Sequence, residues 1–144
     1  MEEIAYCDSR KDLPINELHK IFVLVGWSDG SETLQMLNNY NVPFINSTLV
    51  ISAWKNKKLI GFVRVLSDKM FRSIIYDLAV HPEYQHYGIG SAMIQKCIEH
   101  FPNSEWLVET VDGIEGFYEK QSFKVIAKNG IVYLKIACKL FTKE

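Results

Sequence analysis

Two glycines near the middle of the chain have the spacing of a turn that binds phosphate. Gly88 and Gly90 lie in the stretch HPEYQHYGIGSAM, after an apolar run and at the start of an amphipathic one. At the start of a helix the first N–H groups lack partners and the dipole adds positive charge, while glycine lets an anion approach the backbone. The pattern therefore predicts an anion cradle, although a glycine-rich helix start without a ligand would look the same.

Two familiar phosphate-binding motifs do not fit this turn. A nucleotide P-loop needs G-x-x-x-x-G-K-[ST], and its lysine and hydroxyl are absent here. A Rossmann turn needs a third glycine, where Met93 stands, and it follows its strand directly, whereas seven residues separate Val80 from Gly88. The first class is excluded, and the flanking segments argue against the second.

The segments around the cradle show strand and helix patterns in a mixed order. Alternating apolar and β-branched residues predict strands at residues 4–7 and in TLVISAW, KLIGFVRVL, MFRSIIYDLAV, EWLVETV, FKVIAK and IVYLKIACKL. Helical spacing predicts helices over residues 14–25, from a Ser31 cap with Leu34, Met36 and Leu37 buried, over residues 88–101, and in GIEGFYEKQ.

Turn signals join these segments into one order. The KNK stretch at residues 55–57 and the pair Asn129-Gly130 are typical of hairpin turns, and His81-Pro82 ends the third long strand. The resulting order is β-α-α-β-β-β-α-β-α-β-β. Three consecutive strands exclude simple βαβ alternation, so we predict an α+β domain on a mixed, mostly antiparallel sheet.

The composition limits what the chain binds. Its 144 residues suit a single domain, and a net charge of −1 leaves no basic surplus for nucleic acid. No apolar run is long enough to cross a bilayer and no signal peptide pattern begins the chain, so we expect a cytoplasmic protein without a membrane partner. Three widely spaced cysteines and no H-x-x-H pattern predict no metal site.

Two motifs together resemble one enzyme family. DLAVHPEYQHYGIGSAMIQKCIEH is similar to the core motif of the GNAT superfamily of acyl-coenzyme A N-acyltransferases, in which Q/R-x-x-G-x-G/A opens a helix. GFYEKQSFKV resembles the family's F-Y-E-K-x-G-F segment. The resemblance implies a small, bacterial-type member with one domain over residues 1–144. It also implies a central sheet of about seven strands flanked by about four helices.

The resemblance implies acetyl-coenzyme A as the co-substrate. Backbone N–H groups of the cradle would hold its pyrophosphate, and the end of the preceding strand would bind pantetheine through its main chain. One N–H there could polarise the thioester carbonyl as an oxyanion hole does. The residues carried over are Leu78, Ala79, Val80, Gln85, His86, Tyr87, Gly88, Ile89, Gly90 and Ser91.

The resemblance also implies direct attack of a primary amine on the thioester. Tyr118 matches the tyrosine that serves as general acid, although it could simply pack in the core. Asp77 is a candidate base in an apolar strand, and Glu109 on the neighbouring strand is the alternative. A structural role for Asp77, or a water chain without a single base, remains open.

The acceptor is the least determined part of the prediction. Phe22 and Trp27 are candidate substrate contacts, with Tyr40 and Phe44 nearby in the same region, and all four could instead be core. The acceptor could be a small-molecule amine or a peptide or protein amine. A catalytically silent coenzyme A sensor on the same fold is the rival hypothesis. The C-terminal strands could pair across a homodimer.

Three positions depart from the family pattern. Gln85 stands where arginine is also common, and Ser122 stands where the family usually has glycine, so a left-handed backbone there would be mildly strained. Asp112-Gly113 fills the span in which the family often has asparagine. These departures bear on coenzyme A affinity and leave the main motifs intact.

Overall fold

The computed structural model describes residues 3–111, 113–128 and 131–138, and its centre is one seven-stranded sheet. The strand order across the sheet is β1-β2-β3-β4-β5-β7-β6, and every neighbouring pair is antiparallel except β4 and β5. The strands are β1 Ala5–Cys7, β2 Leu49–Lys55, β3 Lys58–Ser67, β4 Arg72–Val80, β5 Glu105–Val111, β6 Lys124–Lys128 and β7 Ile131–Ile136. The predicted α+β architecture with a mostly antiparallel sheet is confirmed.

Five α-helices occur in the described part of the chain. They are α1 Ile15–Leu24, α2 Leu34–Asn38, α3 Val42–Ile45, α4 Ile89–His100 and α5 Glu115–Glu119, and a 3-10 turn covers Pro82–Tyr84. The parallel crossover from β4 to β5 runs through α4, as a parallel connection requires. The predicted order of elements is confirmed, except that the second helix is two short helices, α2 and α3.

The predicted start and buried face of the second helix were wrong. The helix begins at Leu34, so the N-cap position belongs to Thr33, whose Oγ1 accepts from the Met36 N–H, and Ser31 lies two residues before it with its hydroxyl donating to Asp29. The helix has only five residues, and none of them is buried. Leu34 is 74% exposed and Met36 56% exposed, because so short a helix does not turn a continuous apolar face onto the sheet.

Two apolar clusters cover the two faces of the sheet. Helix α4 packs Met93, Ile94 and Cys97 against one face, in a cluster that includes the fully buried Trp106. Helix α1 packs on the other face, where Leu18 and Ile21 meet Phe62 and Phe44. Neighbouring residues of β2 point to opposite faces, Val50 to the α1 side and Ile51 to the α4 side, as strand geometry dictates.

The predicted hairpin around KNK is confirmed. Strand β2 ends at Lys55 and β3 begins at Lys58, and the two residues between them, Asn56 and Lys57, have φ values of 50° and 67°. Two consecutive positive φ angles define the tight turn whose twist matches antiparallel strands. The Asn129-Gly130 turn lies outside the described residues, although β6 and β7 pair antiparallel on either side of it.

A bulge in β4 opens the sheet at one point. Asp77 lies opposite Arg64 and Ile75 lies opposite Val65, so Tyr76 is an extra residue without a partner in β3. Strand β4 pairs with β5 only up to Ile75, opposite Val108. A bulge bends its strand and increases the local twist, so the last residues of β4 diverge from β5. This divergence leaves a gap between the two strands beyond Ile75.

None of the helices in the described part of the chain has the length and apolar composition needed to cross a bilayer. That residues 1–144 form a single domain stays a prediction.

Candidate active site

The predicted cradle forms at the first turn of α4. Gly88 is the N-cap, with a left-handed φ of 83°, and His86 is also left-handed at 70°. The first helical hydrogen bond runs from the Ala92 N–H to the Gly88 carbonyl, and no side chain caps this end. Because helical N–H groups before Ala92 have no partner in the helix, those of residues 89–91 are free for an anion.

The two glycines serve different physical purposes. A Cβ on Gly88 would meet nothing within 4 Å, so glycine is needed there for the left-handed backbone. A Cβ on Gly90 would lie 3.2 Å from Cζ of Phe117, so glycine is needed there for the close packing of α4 against α5. Gly88 thus allows the turn that leaves the N–H groups open, and Gly90 allows α5 to pack against the start of α4.

Gln85 fastens the loop that precedes the cradle. Its side-chain amide donates to the carbonyl of Val80 at 2.9 Å, which ties the loop to the last residue of β4. His81 caps the intervening 3-10 turn, because its Nδ1 accepts from the Glu83 N–H at 3.1 Å. Tyr87 is exposed beside the cradle.

A cavity of about 290 Å³ occupies the gap between β4 and β5. Its lining includes Trp27, Tyr76, Leu78, Glu109, Thr110 and Tyr118. Ala79 is buried on the α1 side of the sheet, while Leu78 and Val80 pack toward the α4 side. Beyond Ile75 the edge of β4 that faces β5 has no strand partner, so its backbone groups are open to the cavity.

Tyr118 lies in the wall of this cavity. Its side chain is 6% exposed, and its ring packs edge-on against Phe117 at 5.0 Å and Phe123 at 5.7 Å. The hydroxyl has no hydrogen-bond partner among the described residues, and every fully buried side-chain polar atom in that part of the chain has one. The hydroxyl therefore reaches the open space. Burial raises the pKa of Tyr118 above its usual 10.0, so the phenol keeps its proton at neutral pH.

Ser122 ends the segment that carries Tyr118. Its φ of 74° is left-handed, as expected for the position where glycine is usual. This turn directs the N–H groups of Gln121 and Phe123 to the Tyr118 carbonyl, at 2.8 Å and 3.2 Å. The strained serine thus closes α5 as glycine would.

The two candidate bases lie in different surroundings. Asp77 is ion-paired with the Nε of Arg64 and does not line the cavity. The Arg64 guanidinium also lies 5.3 Å from the ring of Tyr76, so this pair braces the bulge. Glu109 is exposed and lines the same cavity as Tyr118. The structure therefore brings Glu109 and Tyr118 together and holds Asp77 apart from them.

The two candidate substrate contacts are also separated. Trp27 lines the cavity and is half exposed. Phe22 lies behind it, edge-on to Trp27 at 5.2 Å and stacked on the buried Phe62 at 5.6 Å. Tyr76, which sequence reasoning missed, is exposed at the cavity because of the bulge. In the described residues no three His, Cys, Asp or Glu side chains come together as a metal ligand set.

Known proteins share both the motifs and the fold. Residues 46–125, more than half of the 144, match the acetyltransferase (GNAT) domain family. The chain belongs to the GNAT acetyltransferase family.

The relatives of this GNAT chain are named as acetyltransferases. The uncharacterized N-acetyltransferase ycf52 of Pyropia yezoensis is 30% identical over 82% of this chain and 69% of its own. The histone acetyltransferase TAP1 of Glycine max is 31% identical over 68% of this chain and 45% of its own. The PaiA N-acetyltransferase of Thermoplasma acidophilum, solved in complex with coenzyme A, shares the fold with a TM-score of 0.68 and 17% identity. That match covers 94% of this chain and 99% of the other.

These findings confirm the family, the GNAT fold and the enzyme class expected from the two motifs. The chain is an acyltransferase of the GNAT type.

A polar cluster holds the loop that carries Trp27 in this GNAT chain. Glu32 accepts hydrogen bonds from Ser28 at 2.5 Å and Tyr40 at 2.9 Å, and its other oxygen pairs with His19 Nε2 at 3.0 Å. These contacts tie the loop between α1 and α2 to α1 itself and to the segment before α3. Local sequence patterns do not indicate this role of Glu32, because its partners are up to 13 residues away.

Acid should loosen this loop. Hydrogen bonds, first from Ser28 and then from its own N–H, His19 and Tyr40, lower the pKa of Glu32 from 4.5 to about 2. A depressed carboxyl pKa stabilises the fold above the unfolded value and loses that contribution as pH falls from 4.5 toward 2. In Glu32→Gln the melting temperature should be lower at pH 6 and should fall less steeply between pH 5 and 2, measured by circular dichroism. The exposed Glu83→Gln variant is the charge-matched control, and a slope in Glu32→Gln equal to wild type would contradict the assignment.

Proposed function

We propose that this GNAT enzyme transfers the acetyl group of acetyl-coenzyme A to a primary amine by direct attack within a ternary complex. The observation that carries the proposal is the continuity of the site. The start of α4 packs at Gly90 against Phe117, which lines the gap between β4 and β5, and Tyr118 lies in the wall of the same gap. Anion binding, an extended binding edge and a proton donor thus lie along one path.

The residues of the site fit coenzyme A as the carrier of the acetyl group. The free N–H groups at residues 89–91 and the left-handed backbone at Gly88 suit a pyrophosphate, with the Ser91 hydroxyl beside them. The unpaired edge of β4 from Leu78 to Val80 suits the amide groups of pantetheine. When bound, acetyl-coenzyme A supplies an acetyl group activated as a thioester.

Tyr118 is proposed as the general acid. Its phenol holds a proton at Oη at neutral pH, because burial raises its pKa, and its hydroxyl is not engaged by another described residue. A thiol leaving group needs a proton as its bond to the acetyl carbon breaks, and a fixed donor within reach supplies it. The cavity that Tyr118 lines is where we place this transfer.

Glu109 is the base that the geometry favours over Asp77. An alkylammonium must lose a proton before attack, and a carboxylate at the cavity can receive it directly or through one water. Of the described residues that line the cavity, Glu109 alone carries a charge. Asp77 is committed to Arg64 and serves the bulge.

Replacing each carboxylate with its amide tests which of Glu109 and Asp77 acts as the general base. Glu109→Gln should lower kcat/KM for the amine at least about 10-fold at pH 7, with the deficit shrinking as pH rises, because a general base contributes in this way. Asp77→Asn should lower the melting temperature through the broken pair with Arg64, and kcat/KM should change less than in Glu109→Gln. Steady-state rates across pH 6–9 decide the matter, and the reverse ranking of the two rates would assign the base to Asp77.

The acceptor is proposed to be a small-molecule amine, with a peptide or protein amine as the alternative. Trp27 and Tyr76 give the cavity aromatic walls, and Glu109 favours a cationic group near them. One relative is named as a histone acetyltransferase, which supports keeping a protein amine in view. A cytoplasmic location and a homodimer through the C-terminal strands stay predictions.

Initial-velocity patterns test the direct-attack mechanism. With acetyl-coenzyme A varied at several fixed amine concentrations, a ternary complex gives intersecting double-reciprocal lines. Parallel lines would indicate an acetyl-enzyme intermediate and would overturn direct transfer.

A further inference from the structure

A buried glutamine joins the cradle to the segment that carries Tyr118. Gln121 is 8% exposed, and both ends of its side-chain amide are hydrogen-bonded. Its Nε2 donates to the Ser91 Oγ at 2.8 Å, and its Oε1 accepts from the Gln95 Nε2 at 2.9 Å. Ser91 belongs to the first turn of α4, and Gln121 lies three residues after Tyr118. The Gln121 backbone N–H in turn donates to the Tyr118 carbonyl.

This arrangement fixes the direction of the Ser91 hydroxyl. A hydroxyl has one donor and accepts through its lone pairs. Because the Ser91 oxygen accepts from Gln121, its own proton is left to donate elsewhere. Ser91 belongs to the same first turn of α4 as the free N–H groups of residues 89–91, so an anion in the cradle would be the acceptor. Hydrogen bonds in such a chain polarise one another, which strengthens the last donor.

The close packing at Gly90 makes the same connection rigid. A Cβ on Gly90 would lie 3.2 Å from the Phe117 ring. Helix α5 therefore contacts α4 at Gly90, the second residue of α4. The contact between Gln121 and Ser91 then fixes the rotation of α5 about that point. The helix that carries the proton donor is therefore held by the helix turn that forms the cradle.

We infer that Gln121 is a positioning residue that orients the Ser91 hydroxyl toward the pyrophosphate and holds the Tyr118 segment on the cradle. The inference rests on the proposed function, because it assumes that the cradle binds coenzyme A. Gln121 occupies the x position of the F-Y-E-K-x-G-F motif, and the inference gives that variable position a role.

Two substitutions of Gln121 distinguish positioning from simple structural support. In Gln121→Glu the shape and the contact with Gln95 are kept, but the carboxylate can only accept, so the Ser91 hydroxyl must turn its proton away from the cradle. The apo protein should melt close to wild type, while coenzyme A should bind at least 10-fold more weakly by calorimetric titration. In Gln121→Met both hydrogen bonds are lost. The apo protein should melt lower than Gln121→Glu, yet it should bind coenzyme A more tightly than Gln121→Glu does.

If Gln121 had a structural role alone, wild type and the two variants would rank in the same order by apo melting temperature and by coenzyme A affinity. If Gln121→Glu bound coenzyme A as tightly as wild type, or if affinity simply followed apo stability, the positioning role would be overturned. Gln35→Glu, an exposed glutamine on α2, controls for the added negative charge and should bind coenzyme A like wild type.

A double-mutant cycle tests the route through Ser91. The effect of Gln121→Met on coenzyme A affinity should largely disappear in a Ser91→Ala background, because the donor that Gln121 orients is then absent. Full additivity would show that Gln121 does not act through Ser91. If wild type itself shows no binding of coenzyme A, the proposed function falls; if only the variant ranking fails, the role of Gln121 falls and the proposed function stands.

Discussion

Tyr118→Phe is expected to lower kcat by about 10²–10³-fold, because a positioned general acid typically contributes a factor of this size. The substitution removes one hydroxyl that has no hydrogen-bond partner among the described residues. The ring contacts with Phe117 and Phe123 remain, so the melting temperature should stay close to wild type. Coenzyme A should bind with nearly unchanged affinity, because the cradle is untouched.

The pH dependence adds a second test of the same residue. Because burial raises the pKa of Tyr118 above 10.0, the wild-type rate should show no alkaline decline from loss of this proton below pH 10. Tyr6→Phe removes a hydroxyl from a partly buried tyrosine on β1, away from the cavity, and it is the matched control. Single-turnover rates isolate the chemical step, and an undiminished rate in Tyr118→Phe would remove the acid role.

Gly88→Val is expected to weaken coenzyme A binding at least about 10-fold. The backbone at Gly88 is left-handed, and a β-branched residue in that region costs about 1–2 kcal/mol or more. We expect the chain to relieve this strain by rotating the peptide groups before α4, which would turn the N–H groups of the cradle away from one another. Calorimetric titration with coenzyme A measures the loss.

A second left-handed glycine provides the control for backbone strain. Gly30 has a φ of 82° against 83° for Gly88, and at both positions an added Cβ would meet nothing within 4 Å. Gly30→Val should therefore lose a similar amount of stability while keeping its coenzyme A affinity. Equal affinity in Gly88→Val and Gly30→Val would show that the turn does not hold the ligand.

Sequence patterns predicted correctly the elements that are determined by residues close together in the chain. The order of strands and helices, the helix start at Gly88 and the hairpin around Asn56 all depend on residues within about ten positions of one another, and each is confirmed apart from the division of the second helix into α2 and α3. The backbone of Ser122 is left-handed where the motif usually has glycine, so this turn has the left-handed form with mild backbone strain.

Features that depend on register and distant partners could not be predicted this way. The extra residue at Tyr76 follows from how β3 and β4 align, and alternation along β4 alone does not reveal it. Arg64 and Asp77 are 13 residues apart, and Ser91 and Gln121 are 30 apart. The predicted start of the second helix was wrong because Thr33, two residues after Ser31, occupies the N-cap.

Amine-dependent release of thiol from acetyl-coenzyme A tests the proposed acetyl transfer most directly. Purified protein is incubated with acetyl-coenzyme A and a panel of primary amines that includes small metabolites, aminoglycosides and lysine peptides, while free thiol and acetylated amine are both quantified. At least one amine should give one thiol per acetylated product, and Tyr118→Phe should suppress both. Stabilisation by coenzyme A without turnover on any amine would contradict the proposed transfer and indicate a silent coenzyme A sensor.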